Sequence, residues 1–413
     1  MLAGSNEDGD STGTRMMERR VVLFNRHYGG TKTPTGRMVR DLCVRFVEAG
    51  WTVVVYSCVS DYAGQDHISV DPGIRVVHLW GLRESYRIVN WLVYLIQVSC
   101  LAPFVAAELC IVLTDPPFLV VVAPIAKLFG LWRRVRVCWW TMDLYPRALA
   151  CHGVIEMDGV AYRALVAIQR GCARWLNDIV CLDRKQLEII RAECFDSQPK
   201  ARFTVIPPWD DREIRLVDRE SNRFLAENGL SGHKVFLYCG NLGAAHSFDE
   251  FLDGARELNR RKLFGYKFVF VVRGMRREAL TNAARGMDNV IVLDYQRDEI
   301  TSDLLCSAAV HLVSVREEWC GVVVPSKLSG VLQTAAPVLF VGPGECGVAV
   351  EILARGRGEV LGNGVRGDVI AEVLLRLADA SPYRPVPREK GGAVMCSLLT
   401  KVSCESESSS VWE

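Results

Sequence analysis

Short apolar runs alternate with helically spaced apolar positions along most of the chain. Residues 20–25 (RVVLFN) enclose a continuous apolar run, as a strand covered on both faces requires. Over residues 36–49, Met38, Val39, Leu42, Cys43, Phe46 and Val47 share one helical face, and Gly50 closes the helix. Residues 51–57 (WTVVVYS) form the next strand, and further strands read at 74–80, 109–113, 135–140 and 178–182, with helical patterns between most of them. The alternation then restarts. Strands are predicted at 234–239, 267–272, 289–294, 310–315 and 337–341, and helices at 248–258, 276–284, 326–333, 347–354 and 368–377. Two successive βαβ series predict an α/β chain with two doubly wound, parallel, Rossmann-like sheets. Their join falls near residues 196–219, where Pro199, Pro207, Pro208 and many charges give a linker composition. The expected organisation is a disordered tail over 1–19, a first domain over 20–200, a second over 201–380, and a weakly structured tail over 381–413.

Composition narrows this reading. The 413 residues exceed one ordinary core and suit two domains. A formal net charge of +1 gives no global electrostatic case for a nucleic-acid partner. The 15 cysteines form no CxxC pair and no Cys/His cluster of zinc-ligand spacing, so they read as small buried hydrophobes in a reducing compartment, with no metal expected. Residues 1–14 are polar and acidic, unlike a secretory signal, which points to the cytoplasm. Residues 88–107 are uncharged and of bilayer-spanning length, but Asn90, Gln97, Ser99 and Pro103 interrupt them. A helix that is buried, or that lies on a membrane surface, is expected instead of a span. Trp132, Arg133 and Arg134 add a basic aromatic turn of interfacial type.

Ligands of open parallel sheets bind beyond the carboxyl ends of the strands, so the loops after strands carry the candidate chemistry. Residues 26–36 (RHYGGTKTPTG) lead into the first helix; Gly29 and Gly30 permit close backbone approach to an anion, although a plain loop explains the same residues. The absence of GxGxxG followed by an acid after strand two disfavours a dinucleotide cofactor. Residues 114–117 (TDPP) read as a structural turn. Asp143 is an isolated acid at a strand end, fit to orient an acceptor hydroxyl or to cap a helix. Gly240, Asn241, Leu242 and Gly243, followed by Ala244, Ala245 and His246, make a turn suited to phosphate or sugar, with His246 donating to one of their oxygens. Arg273 heads a basic turn that can pair with a diphosphate or stay solvated. Ser326 is expected to cap a helix whose first turn holds Lys327, where a lysine opposes the helix dipole unless an anion binds. Gly342 and Glu345 complete the rim of this half, with Glu345 fit to bind sugar hydroxyls.

Taken together, WTMDLYP (140–146), IPPW (206–209), LYCGNLGAAHSF (237–248), DYQ (294–296), VPSKL (324–328) and VLFVGP (338–343) resemble glycosyltransferase family 4. The similarity is greatest to the bacterial subgroup that builds surface polysaccharide, including L-fucosamine and N-acetylhexosamine transferases, and it covers about residues 20–380. The resemblance implies the GT-B fold, with two Rossmann-like domains facing across a cleft. It implies retaining transfer from a nucleotide sugar, UDP-linked in preference to GDP-linked, to a glycan or polyprenyl-linked acceptor in surface polysaccharide or glycolipid synthesis. No metal or other cofactor is implied, and the expected location is cytoplasmic with peripheral contact at the inner membrane surface. Asp143, His246, Arg273 and Lys327 would be catalytic. Gly29, Gly30, Gly240, Asn241, Leu242, Gly243, Tyr295, Ser326, Gly342 and Glu345 would bind the donor. The chain departs from the pattern at Asn241, Ala244, His246 and Arg273, at Gly330 and Gly347 where acids are usual, and after Ala380, where no closing helix is recognisable. Those departures leave two alternatives: a catalytically degenerate nucleotide-sugar-binding subunit, and a GT-B sugar-nucleotide epimerase.

Overall fold

The computed structural model describes residues 19–29, 34–58, 71–81, 86–104, 106–129, 135–195 and 199–401. The expected terminal tails up to residue 18 and from residue 402, the 132–134 turn and Gly30 lie outside the described residues. The first half runs β1 (Arg20–Phe24), α1 (Pro34–Glu48), β2 (Thr52–Cys58), β3 (Ile74–Leu79), α2 (Arg87–Leu101), β4 (Leu109–Val112), α3 (Val122–Phe129), β5 (Arg136–Trp140), α4 (Arg147–Cys151), α5 (Val160–Ala173), β6 (Asp178–Cys181), α6 (Arg184–Cys194) and β7 (Arg202–Val205). The second runs α7 (Arg223–Glu227), β8 (Lys234–Asn241), α8 (Asp249–Arg260), β9 (Tyr266–Arg273), α9 (Arg277–Ala283), β10 (Val290–Leu293), α10 (Thr301–Cys306), β11 (Ala308–Ser314), α11 (Lys327–Leu332), β12 (Val338–Val341), α12 (Gly347–Ala354), β13 (Gly358–Leu361) and α13 (Gly367–Ala378), before a final α14 (Gly391–Thr400).

The strands form two sheets, ordered β3-β2-β1-β4-β5-β6-β7 and β10-β9-β8-β11-β12-β13, with parallel pairings throughout. Strand order reverses between β1 and β4 and between β8 and β11, which opens a crevice at the carboxyl ends of each sheet. Strand β1 shows why its apolar run is continuous. Val22 and Phe24 enter the core on one face of the sheet, while Val21 and Leu23 enter the core on the other, all without exposure. Each such side chain contributes roughly 1.5–3 kcal/mol on burial. The first of these cores does not stop at the domain edge. It continues from α3, α5 and α6 into Leu328, Val331, Phe340 and Ala349 of the second half.

Three expectations change. Residues 202–205, assigned to the linker or the second domain from their charges, form β7 and complete the first sheet. The segment after Ala380 is not merely weakly structured: α14 returns to the first half, where Met395, Cys396 and Leu399 pack with α1. A Cβ on Gly391 would lie 2.4 Å from the Trp209 ring, so glycine is what lets this helix start against the linker. Arg136 and Arg202 then donate to the Leu399 and Leu398 carbonyls, at 2.9 and 2.8 Å, while both pair with Asp178. These bonds satisfy carbonyls that a helix end leaves open. Finally, the apolar stretch at 88–107 holds the crossover helix α2 and a short turn, and among the described residues no helix is long and apolar enough to cross a membrane. Only its Tyr94 and Val98 side is covered, so the helix is not buried all round.

Candidate active site

The loops from the two sheets converge on a cavity of about 430 Å³. It is lined by Asp143, Gly240, Asn241, Gly243, His246, Arg273, Tyr295, Ser326 and Lys327, so most of the expected residues are brought together. Four are not. Gly29 is buried and its N–H is used by Gly36 O at 3.2 Å, Leu242 is buried with its N–H bonded to Arg273 O, and Gly342 is bonded to Leu361 O. Glu345 lies on a neighbouring cavity and ion-pairs with Lys185 at 2.9 Å. The exit of the first loop, at Pro34, Thr35 and Arg37, faces the cavity in place of Gly29.

Lys327 opens α11 and is half-buried, with its Nζ donating to Tyr238 Oη at 2.7 Å. Burial lowers its pKa to about 7, because the ammonium loses water without gaining a carboxylate. Ser326 does not cap this helix with its side chain, as expected from sequence; its carbonyl accepts from Ser329 Oγ at 3.1 Å. His246 Nδ1 lies 2.6 Å from Ser314 O. A carbonyl only accepts, so Nδ1 carries the proton and Nε2 is left as an acceptor. Burial, with help from the Lys327 charge, pushes the ring pKa down to about 3. The expected donation from His246 to a phosphate is therefore corrected: the neutral ring can accept from a hydroxyl. Arg273 stacks on the Tyr295 ring, 4.3 Å from its centroid.

The Asp143 loop is fixed by a side chain the sequence reading missed. Gln186, fully buried in α6, donates to Met142 O and accepts from Thr141 Oγ1 and Leu182 N, each at 2.7 Å. Thr114 of the TDPP turn accepts from Met142 N at 3.1 Å, which gives that turn its structural role. Leu144 N then donates to Val322 O of the second half at 2.9 Å.

Charges missed as linker composition also reach the cavity. Arg212 pairs with Asp210 at 2.7 Å and Asp298 at 3.1 Å, and Arg37 lies 3.6 Å from Asp211. Burial alone would raise the Asp210 pKa, but bonds from Arg212 outweigh it and hold the carboxyl below its usual range. Two sequence departures now have local causes. An acid at position 347 has no room, since even a Cβ there would lie 2.5 Å from Asp183 Cβ, and the Gly347 N–H donates to Asp183 Oδ2 at 3.1 Å. At Gly330 a Cβ would lie 3.4 Å from Asp210 Oδ2, so a carboxylate from the linker stands beside the place of the absent one. The cavity thus brings Arg37, Arg212, Arg273 and Lys327 together with Asp143 and Asp210, a set of cations of the kind that can pair with a polyanion.

No protein-family model matches the chain. The probable glycosyltransferase WbjE of Pseudomonas aeruginosa is 24% identical over 203 residues, 48% of this chain and 49% of the relative, so the matched part spans about half of each. Among solved structures, WaaG, a glycosyltransferase involved in lipopolysaccharide biosynthesis, superimposes with a TM-score of 0.60 at 16% identity, covering 91% of this chain and 93% of WaaG. Sucrose-phosphate synthase from Thermosynechococcus elongatus gives 0.62 at 13% identity, covering 92% and 94%. Together with the two facing parallel sheets, these likenesses show the GT-B fold.

Proposed function

We propose that the chain is a retaining glycosyltransferase that moves a sugar from a UDP-linked donor to a glycan or polyprenyl-linked acceptor in surface polysaccharide or glycolipid synthesis. The observation that carries this reading is the placement of Lys327, Arg273 and Arg212 across one cavity from Asp143. The name of WbjE and the role of WaaG in lipopolysaccharide synthesis support it. In this reading the base lies against Tyr295 stacked on Arg273, and the diphosphate lies between the Gly240–Gly243 turn and Lys327. The acceptor oxygen bonds to the anomeric carbon as the bond from that carbon to the diphosphate oxygen breaks, and the acceptor proton leaves on the diphosphate. Cations fixed where the leaving group gains charge help most, and losing one lowers the rate by ~10²–10³. Asp143 orients the acceptor hydroxyl, and His246 Nε2 accepts from a donor-sugar hydroxyl.

The test is turnover of the purified chain with a panel of UDP- and GDP-sugars and a lipid-linked acceptor. Lys327→Ala is expected to retain its fold and lose ~10²–10³ of the rate; unchanged turnover removes its role. Nucleotide binding with no turnover on any donor assigns the chain to a non-catalytic subunit instead. Nucleotide release without acceptor assigns it to an epimerase.

A further inference from the structure

Two of the buried free cysteines touch. Cys320 and Cys346 are 9% and 4% exposed, and their sulfurs stand 2.8 Å apart, with the Cys346 thiol donating to Cys320. They come from different loops of the second half. Cys320 follows the short turn at Glu317–Trp319 after β11, in the loop whose Trp319, Val323 and Val324 line the cavity. Cys346 immediately precedes α12. Contacts with the first half hold both loops. Gly321 has a φ of +70°, and a Cβ there would lie 2.7 Å from Lys185 Cγ and 2.8 Å from Ile189 Cδ1, so the backbone turns directly against α6. Val322 O accepts from Leu144 N at 2.9 Å, and the Gly347 N–H donates to Asp183 Oδ2 at 3.1 Å. The two sulfurs are thus kept side by side by residues flanking each of them.

A buried thiol is ordinarily inert, because burial disfavours the thiolate that reacts. This pair differs. The bond from the Cys346 S–H favours a thiolate on Cys320 and lowers its pKa against burial; Lys185 helps, while Glu345 and Asp183 oppose it. The same bond, with burial, pushes the Cys346 thiol up. One sulfur is therefore suited to attack and the other to resolve, the two roles that disulfide formation divides. A disulfide of about 2.05 Å needs the sulfurs to approach by less than ~1 Å. Access comes from the neighbouring cavity of about 500 Å³, whose lining includes Lys185 and, on either side of Cys346, Glu345 and Gly347. A small oxidant such as hydrogen peroxide fits that space.

We propose that Cys320 and Cys346 are a reversible redox site, oxidised by hydrogen peroxide to a disulfide that ties the cavity wall at residues 319–324 to the start of α12. The Cys320 sulfur attacks one peroxide oxygen. The O–O bond breaks, the other oxygen leaves as water with the Cys320 proton, and a sulfenic acid remains. The Cys346 sulfur then attacks the Cys320 sulfur; the S–S bond forms, the S–O bond breaks, and a second water leaves with the Cys346 proton. Two electrons pass from the sulfurs to the peroxide, and two molecules of a cellular thiol such as glutathione return them, as suits a transient disulfide in a reducing compartment. This site does not depend on the sugar transfer proposed above. The test is a disulfide map of the reduced, purified full chain after a roughly tenfold excess of hydrogen peroxide, then quenching, denaturation and alkylation. A peptide joining Cys320 to Cys346, lighter by two hydrogens and absent after dithiothreitol, is expected. Amide exchange at residues 319–324 is expected to slow about tenfold on oxidation and to recover on reduction. A Cys346→Ser variant should show neither change while keeping its circular dichroism; the map of the unaltered chain decides the question even if that variant does not fold. Alkylation of both cysteines as free thiols, while exposed Cys100 is oxidised, overturns the proposal. So do a bond from either to another cysteine, oxidation of Cys320 beyond the sulfenic acid with no bond formed, and a disulfide that leaves exchange at 319–324 unchanged.

Discussion

Lys327 is where charge, burial and proposed chemistry meet. In an unfolded chain its amine keeps a proton to a pH of about 10.4, whereas in the folded protein it releases it near 7. Between those values the unfolded state binds more protons, so stability rises with pH; below 7 the penalty of burying the ammonium is complete. Lys327→Met is therefore expected to raise stability at pH 7 by roughly 1 kcal/mol while abolishing turnover, as read from thermal melts beside an activity assay. A bound diphosphate reverses the balance, because it favours the charged amine. Nucleoside diphosphate binding should take up protons near pH 7 to 8 and weaken as pH rises further, measured by titration calorimetry in buffers of different ionisation enthalpy. The place of Lys327 at the cavity was legible in the sequence because a lysine at a helix start opposes the helix dipole. The tautomer of His246 was not, since it is set by Ser314, 68 positions away in sequence. Asp210 and Arg212 read as linker charges, and only the return of the chain past the cavity gives them a site.

Among the elements, those with continuous apolar runs were legible and those held by tertiary contacts were not. Strand β7 opens on Arg202 and lies at a sheet edge, so it has no two-sided apolar run to announce it. Helix α14 begins with two glycines, each costing about 1 kcal/mol against alanine in a helix, and it forms because Trp209 and α1 are there to cover it. Gly391→Val should therefore destabilise the protein by ~2–3 kcal/mol through overpacking against Trp209, seen as a lower urea midpoint with an unchanged slope. Helix α6 carries a different dependence. Gln186→Leu leaves the Met142 carbonyl and the Leu182 N–H short of a partner, while the Thr141 hydroxyl keeps Val180 O at 3.0 Å, and is expected to lower stability by ~2–4 kcal/mol and to loosen the Asp143 loop. Hydrogen exchange at residues 141–144 would detect that loosening; unchanged protection would contradict it.

At the scale of the whole molecule, the two-sheet plan was legible from the restart of the βαβ pattern, but the degree to which the halves depend on one another was not. One hydrophobic cluster runs from α3 and α5 through α6 to α11 and α12. Asp183, Lys185 and Leu144 of the first half bond to Gly347, Glu345 and Val322 of the second. Unfolding in urea should accordingly show one transition by far-ultraviolet and near-ultraviolet circular dichroism alike; two resolved transitions would mean that the shared cluster does not couple the halves.

The late return of α14 also has a meaning in time. A chain emerging from the ribosome can pair β1 to β7 early, but the groove between α1 and Trp209 stays uncovered until residues 391–400 arrive. At ordinary elongation rates that interval is roughly 10–40 s. Throughout it the nascent first half exposes Phe46-side core to whatever else is nearby, so an interrupted translation product leaves an open, sticky face. The last helix thus closes the first half only after the second has been made.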